Sequence, residues 1–333
     1  MKRQASLLKY NTLGVESTAD ELVHAKSVDD LFDASSTSEP KIYLGGGSNV
    51  VLCGRLRARV ILLEIRGISL EPLEDGTTLL RVGAGESWHE LVRATVGRGI
   101  AGLENLALIP GSVGAAPYQN ISAYGRELSE VLHSVEVFDL VDRKLRSINN
   151  SQCRFRYRDS LFKSDCPNRF VITQVNLVLG TASLSVEYKD VQEHLKRWPG
   201  HTLSSRAVAE HVVRIRRGKL PDTRRFGNVG SFFKNPLISS RIYDSLRTKI
   251  EIAGFRQTDA IRVPAARLIE ACGWKGIRLG DVQVWGRQPL VLVNRGTAKG
   301  SDFLDVAQRV AEDVHRKFDI ELELEPIVLG EDA

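Results

Sequence analysis

Ile109-Pro110-Gly111-Ser112-Val113-Gly114-Ala115-Ala116-Pro117-Tyr118-Gln119-Asn120-Ile121-Ser122-Ala123-Tyr124-Gly125 has little charge and, over most of its length, neither the helical nor the strand period. A long irregular segment inside a globular chain is usually functional. The small residues at 111, 112, 114, 115 and 116 would let a flat ring system approach the backbone, and Gln119 and Asn120 carry amides that could meet its polar edge. An isoalloxazine ring suits that description; so does an Ω-loop that holds no ligand.

Upstream, Ile42-Tyr43-Leu44 reads as a compact strand that feeds Gly45-Gly46-Gly47-Ser48-Asn49-Val50. Three glycines leave the backbone free to aim successive N–H groups at one point, and Ser48 and Asn49 add side-chain donors, which makes a pyrophosphate cradle. The spacing matches neither a P-loop nor a Rossmann fingerprint, and a plain turn is the competing reading. Downstream, Cys153-Arg154-Phe155-Arg156-Tyr157-Arg158-Asp159-Ser160-Leu161-Phe162-Lys163 alternates basic and aromatic residues. An RNA platform would mix these types too, whereas a solvated strand would pair its Arg and Asp residues with each other. In Gly227-Asn228-Val229-Gly230-Ser231-Phe232-Phe233-Lys234-Asn235-Pro236 the glycines could expose the Ser231 hydroxyl as a proton donor, although a structural turn explains them as well.

The pattern around these segments is α+β. A helix is expected to open at Thr18-Ala19-Asp20-Glu21-Leu22, strands at Val60 to Ile65 and Leu79 to Val82, and a helix from Ser87 to Arg98 closed by Gly99. Ser134 to Asp139 and Arg169 to Leu179 alternate as strands, and the polar Leu179 to Ser185 suggests a boundary. Ser204 would cap a helix with Val208, Val212 and Ile215 on one face and Arg214, Arg216 and Arg217 elsewhere. Further helices are expected near Pro264 to Cys272 and Ser301 to Phe318, with a strand at Leu290 to Asn294.

The 333 residues suggest two or three domains, and 42% hydrophobic with 26% charged residues is an ordinary globular composition. Lys and Arg number 46 against 41 Asp and Glu, and the +5 balance leans toward anionic partners. Cys53, Cys153, Cys166 and Cys272 are far apart without metal-ligand spacing, so no metal site is expected. The basic start has an apolar stretch that ends at Lys9, too short for a signal-peptide core, and nowhere do 18 apolar residues run together. A reduced, cytoplasmic protein is the expectation.

Taken together, the Gly102 to Gly125, Cys153 to Lys163 and Gly227 to Pro236 blocks resemble the UDP-N-acetylenolpyruvoylglucosamine reductases, the MurB flavoenzymes of peptidoglycan synthesis. The likeness runs from Asn11-Thr12-Leu13-Gly14 almost to the C-terminus, and Val186-Glu187-Tyr188-Lys189-Asp190 is similar to the longer family type with a substrate-closing tyrosine loop. The resemblance implies an α+β fold: a noncovalent FAD-binding fold of the vanillyl-alcohol-oxidase kind at 11–180, split into two subdomains near 66. An inserted loop and connecting helix at 181–218, a substrate-binding domain at 219–325 and a tail at 326–333 would follow. It implies that NADPH reduces the flavin and that UDP-N-acetylglucosamine enolpyruvate is then reduced to UDP-N-acetylmuramate, a step of cell-wall synthesis on which cell shape and division depend. It further implies a monomer without nucleic-acid or membrane partners.

By the same resemblance Gly45, Gly46, Gly47, Ser48 and Asn49 would hold the pyrophosphate, and Pro110, Gly111, Ser112, Gly114, Ala115, Gln119, Asn120 and Ile121 would line the isoalloxazine. Arg158, Ser231 and Glu325 would be catalytic, and Tyr124, Tyr188, Lys219, Asn235 and Gln288 would hold substrate, with Lys234 a further cation. Chemically the trio is sensible, since hydride at the vinyl carbon pushes charge onto a carboxylate that needs cationic or hydrogen-bonding neighbours. The family's Leu-Glu-Pro-Glu-Val is replaced here by Leu322-Glu323-Leu324-Glu325-Pro326-Ile327. A gap-free count from Gly330 selects Glu325, and a shifted register would select Glu323, which shares its face on a regular strand. An oxygen-using oxidase on the same flavin fold, or a basic RNA-binding protein, would explain only parts of this pattern.

Overall fold

A computed structural model describes residues 2–180, 184–197 and 202–330. Contacts divide the chain into two compact units, Met1–Ala5, Asp20–Gly46 and Ala58–Gly218 against Ser6–Ala19, Gly47–Arg57 and Lys219–Ala333. The chain therefore passes from one unit to the other inside the Gly45–Asn49 loop.

A four-stranded sheet, most of whose residues belong to the first unit, runs in the order Lys2–Ser6, Thr18–Ala25, Arg55–Leu63, Lys41–Leu44. Its last pair is parallel, with Ile42 opposite Val60. The helix expected at Thr18 is absent: Thr18–Ala25 is a strand with Ala19, Leu22 and Ala25 buried, so pairing in the sheet overrides the locally helical start. Helix α1 (Val28–Ala34) begins further on, where Ser27 Oγ accepts from the Asp30 amide and the Asp30 carboxylate accepts from the Ser27 amide, each at 3.0 Å. That reciprocal box satisfies two orphan amides at once.

A five-stranded antiparallel sheet follows, in the order Lys144–Asn149, Leu132–Asp139, Phe170–Leu179, Thr78–Gly83, Ile68–Pro72. Leu80, Val82, Val135, Val137, Val175 and Leu177 line its buried face. Helix α2 (Trp88–Gly97), capped by Ser87, sets Trp88 and Leu91 into that core, and Trp88 Nε1 donates to the Leu106 carbonyl at 3.0 Å. Helix α3 (Lys189–Lys196), within the segment expected as an inserted loop, buries Val191. Helix α4 (Ser205–Lys219) contributes Val208, Val212 and Ile215, with the Ser204 hydroxyl accepting from the Ala207 amide at 3.2 Å. The Thr181 to Ser183 part of the expected boundary lies outside the described residues.

The second unit is built from short pieces. Its three-stranded sheets run Leu237–Ile238, Ile261–Arg262, Phe255–Arg256 and Arg278–Leu279, Val282–Val284, Leu292–Asn294. Helix α5 (Ser240–Lys249), which the sequence reading does not contain, buries only Leu246. Helix α6 (Ala265–Ala271) and helix α7 (Gly300–Phe318) lie where expected. Alpha-7 buries Phe303, Val306, Ala307, Val310 and Val314 at helical spacing. At its first residue, Gly300, a Cβ would lie 2.1 Å from the Leu52 carbonyl oxygen, so the helix can start against strand Val50–Cys53 only without a side chain. That strand pairs in parallel with Ile327–Gly330, Val50 opposite Ile327.

Candidate active site

The two glycine segments meet within the first unit. A Cβ on Gly46 would stand 2.8 Å from Gly111 Cα, and one on Gly45 would stand 2.3 Å from Ser112 Oγ. A Cβ on Gly114 would meet that of Ala84 at 2.5 Å. Packing alone therefore requires several of these glycines. The amides of Val113, Gly114, Ala115 and Ala116 bond to Glu86, Ala84, Ser112 and Val113 carbonyls, so this stretch presents a small-residue surface rather than a set of donors. A flat ring fits such a surface, whose amides are already bonded within the protein. Asn120 is more committed than the sequence suggested: its Nδ2 donates to Glu127 at 2.9 Å, and its Oδ1 accepts from the Ser129 amide at 3.1 Å.

Beside this wall lies a cationic cluster, also in the first unit. Arg158, at φ +54°, donates through Nη1 to Ser122 Oγ at 2.7 Å and through Nη2 to the Ser122 carbonyl at 3.4 Å. Its sequence neighbour Asp159 is engaged by Arg156, at 2.9 Å. Phe155 packs on the core and Phe162 is buried, so these two rings point inward rather than offering themselves to bases.

The sequence reading missed Arg216. It projects from α4, half-buried, to bond the Tyr124 hydroxyl. Burial depresses its pKa, the Tyr124 phenol opposes that, and the nearby Arg158 charge depresses it further. Arg216 Nε has no hydrogen-bond partner among the described residues. The clue was its place four and eight residues after Val212 and Val208, on the face that α4 buries. Burial pushes the Tyr124 phenol up to about 12, so Tyr124 stays a neutral donor. Its ring meets that of Tyr188 edge to face, with centroids 5.3 Å apart. Two guanidinium groups and a phenol at one place make an anion-receptive surface.

In the second unit, Ser231 forms a bridge with Val291, and the Phe232 amide donates to the Leu290 carbonyl at 2.7 Å. The Phe232 carbonyl in turn accepts from the Glu325 amide at 3.1 Å, which places Ser231 and Glu325 on adjoining extended segments. Glu325 is 7% exposed. Glu323 has a 73% exposed side chain and forms an ion pair with Lys234, so the charge of that lysine is already met. The two glutamates differ because the regular strand begins only at Ile327, after Pro326, so the face-sharing rule does not hold at 323 to 325.

Trp285 Nε1 donates to the Lys219 carbonyl at 3.0 Å, and Asn235 Oδ1 caps α6 by accepting from the Ala265 amide at 3.0 Å. Gln288 Oε1 is buried with no hydrogen-bond partner among the described residues. Among the described residues no group of three or more His, Cys, Asp or Glu could hold a metal, and no helix is long and apolar enough to cross a membrane. Cys53 and Cys153 are buried thiols, and burial pushes Cys153 up to about 12.

The α+β fold and the paired glycine segments define a flavin-binding oxidoreductase class, and residues 20–147 match the family model of the FAD binding domain. Residues 222–329 match that of the UDP-N-acetylenolpyruvoylglucosamine reductase C-terminal domain. The UDP-N-acetylenolpyruvoylglucosamine reductase of Pseudomonas aeruginosa is 40% identical over 333 residues, covering 98% of each chain. That of Alcanivorax borkumensis is 39% identical, covering 98% of this chain and 95% of its own. The crystal structure of the Thermus caldophilus enzyme (MurB) superposes with a TM-score of 0.67 at 26% identity, covering 98% of both chains. The chain belongs to the UDP-N-acetylenolpyruvoylglucosamine reductase family.

Proposed function

We propose that this protein reduces UDP-N-acetylglucosamine enolpyruvate to UDP-N-acetylmuramate with NADPH, through noncovalently bound FAD, in peptidoglycan synthesis. The observation that carries this reading is the pairing of an otherwise structural backbone contact with a buried acid: Ser231 and Glu325 sit on adjoining extended segments while Glu323 faces solvent. FAD, when bound, supplies the two-electron chemistry between NADPH and the enolpyruvyl double bond. Gly45, Gly46, Gly47, Ser48 and Asn49 hold its diphosphate, and Pro110 to Ile121 give its ring a close, flat surface.

Arg158 binds the enolpyruvyl carboxylate bidentately, which steadies the charge that develops there. Arg216 adds positive potential beside it. Ser231 gives a proton to the carbon next to the carboxylate as hydride reaches the terminal carbon, so the double bond becomes a CH–CH₃ unit. Glu325, in its acid form, donates to the developing enolate. Tyr124, Tyr188, Lys219, Asn235 and Gln288 hold the sugar nucleotide, whose diphosphate suits the basic balance of the chain. Residues 11–180 serve the flavin, 181–218 carry the tyrosine loop and 219–325 the substrate, in a cytoplasmic monomer.

Anaerobic reduction by NADPH followed by mixing with UDP-N-acetylglucosamine enolpyruvate tests the reading. Flavin absorbance should bleach and then return with UDP-N-acetylmuramate formed in equal amount. A flavin that NADPH reduces but that the enolpyruvyl nucleotide does not reoxidise would sink the proposal.

A further inference from the structure

Asn105 is fully buried on the short turn Glu104–Leu106 of the first unit. Its Nδ2 donates to the Tyr124 carbonyl at 2.8 Å and to the Ser185 carbonyl at 2.9 Å, which uses both amide hydrogens on two separate segments. The first acceptor ends the small-residue wall. The second lies three residues before Tyr188, the residue that precedes α3. The rings of these two tyrosines meet at 5.3 Å, and a Cβ on Gly125 would come within 3.2 Å of Ser185 Oγ. The segments are thus in contact where Asn105 ties them.

Tyr124 has φ +51°, a region that aromatic residues seldom adopt and that persists only when its surroundings fix it. Asn105 Oδ1 has no hydrogen-bond partner among the described residues, so an unmet acceptor offsets part of what this amide gives to folding. What it supplies is a pair of fixed points, one on each tyrosine segment.

We propose that Asn105 is a positioning residue for sugar-nucleotide binding: by holding the carbonyls of Tyr124 and Ser185 it keeps Tyr188 set against Tyr124 before the substrate's diphosphate arrives. This rests on the reading of Tyr188 as a substrate-binding residue. Pre-setting a loop lowers the ordering cost of binding and therefore acts on affinity.

The test is a double-mutant cycle in the FAD-loaded full chain. Asn105→Ser should raise KM for UDP-N-acetylglucosamine enolpyruvate about tenfold, with kcat and the rate of flavin reduction by NADPH within about twofold of the parent. Tyr188→Ala should raise the same KM, and adding Asn105→Ser to it should cost less than about a further twofold, because the loop being positioned has lost its working group. Independent, multiplying effects of the two substitutions would overturn the positioning role. An unchanged KM in Tyr188→Ala would instead overturn the substrate reading on which it rests. Should Asn105→Ser not fold, Asn105→Asp keeps the volume and, when protonated, one donor; its KM defect should then be smaller at about pH 6 than at about pH 8. A defect that does not change with pH would also count against the proposal.

Discussion

Arg156 and Arg158 of the first unit and Glu323 and Glu325 of the second are like charges two residues apart, and each pair splits the same way. Arg156 is exposed and pairs with Asp159 and Asp165, whereas Arg158 is partly buried and held by Ser122. Glu323 is exposed and pairs with Lys234, whereas Glu325 is buried beside the Ser231 strand. In both places the surface member finds an opposite charge, and the inner member lies closer to the core, Arg158 on Ser122 and Glu325 with its amide bonded to the Phe232 carbonyl. An exposed pair is worth little, while a polar side chain held in place inside the fold costs less ordering when it meets a ligand.

The difference between the regions lies in how the inner member is placed. Arg158 is set by a single left-handed residue, at φ +54°, which turns its side chain toward Ser122. Glu325 is set by strand register, through the Leu324–Phe233 bridge and the Glu325-to-Phe232 hydrogen bond. The first device depends on local conformation, the second on pairing between distant parts of the chain.

The largest effect should come from the strand that Glu325 adjoins. Ser231→Ala should slow reoxidation by the enolpyruvyl nucleotide by about 10² to 10⁴ while flavin reduction by NADPH stays nearly intact, as measured by rapid mixing of each half-reaction. Equal slowing of both half-reactions would remove the proton-donor role. Glu325→Gln should slow the same half-reaction by about 10², because the amide keeps the donor geometry but is a weaker acid.

Arg158→Met should weaken substrate affinity by about 1.5 to 3 kcal/mol, the usual worth of a charged hydrogen bond. Arg156→Met removes exposed ion pairs and should change affinity by less than about twofold. Titration of substrate binding to both variants decides the matter; equal losses would mean that the exposed and inner arginines are not distinct.

Much of this contrast was legible in the sequence, and the parts that were not have physical reasons. The Ile109 to Gly125 stretch declared itself through small residues, and Val208, Val212 and Ile215 marked the buried face of α4. Arg216 was set aside as a polar residue because charge argues for solvent, yet its spacing placed it on that same face. Alternation could not separate Glu323 from Glu325, since the period of two applies only to a regular strand and this one starts at Ile327. Thr18–Ala25 looked helical because sheet partners 30 or more residues away, such as Arg55–Leu63, do not show in a local window. Asn120 looked like a ligand-facing amide, but nothing in its neighbours announced that Glu127 and Ser129 would occupy it.

The smallest expected effect gives the sharpest check on the second region. Glu323→Gln breaks only the exposed pair with Lys234 and should lower stability by no more than about 1 kcal/mol, read from a urea midpoint. Both half-reactions should keep their rates within about twofold, since the side chain faces solvent and the backbone carbonyl of Glu323, which accepts from the Lys234 amide at 2.9 Å, is untouched. The loss should also shrink in high salt, as screening weakens an exposed pair in the parent. A large defect in reoxidation from Glu323→Gln, with Glu325→Gln nearly silent, would mean that Pro326 moves the strand by two residues in the working enzyme. Glu323 would then be the inner acid, and the parallel with Arg156 and Arg158 would be lost.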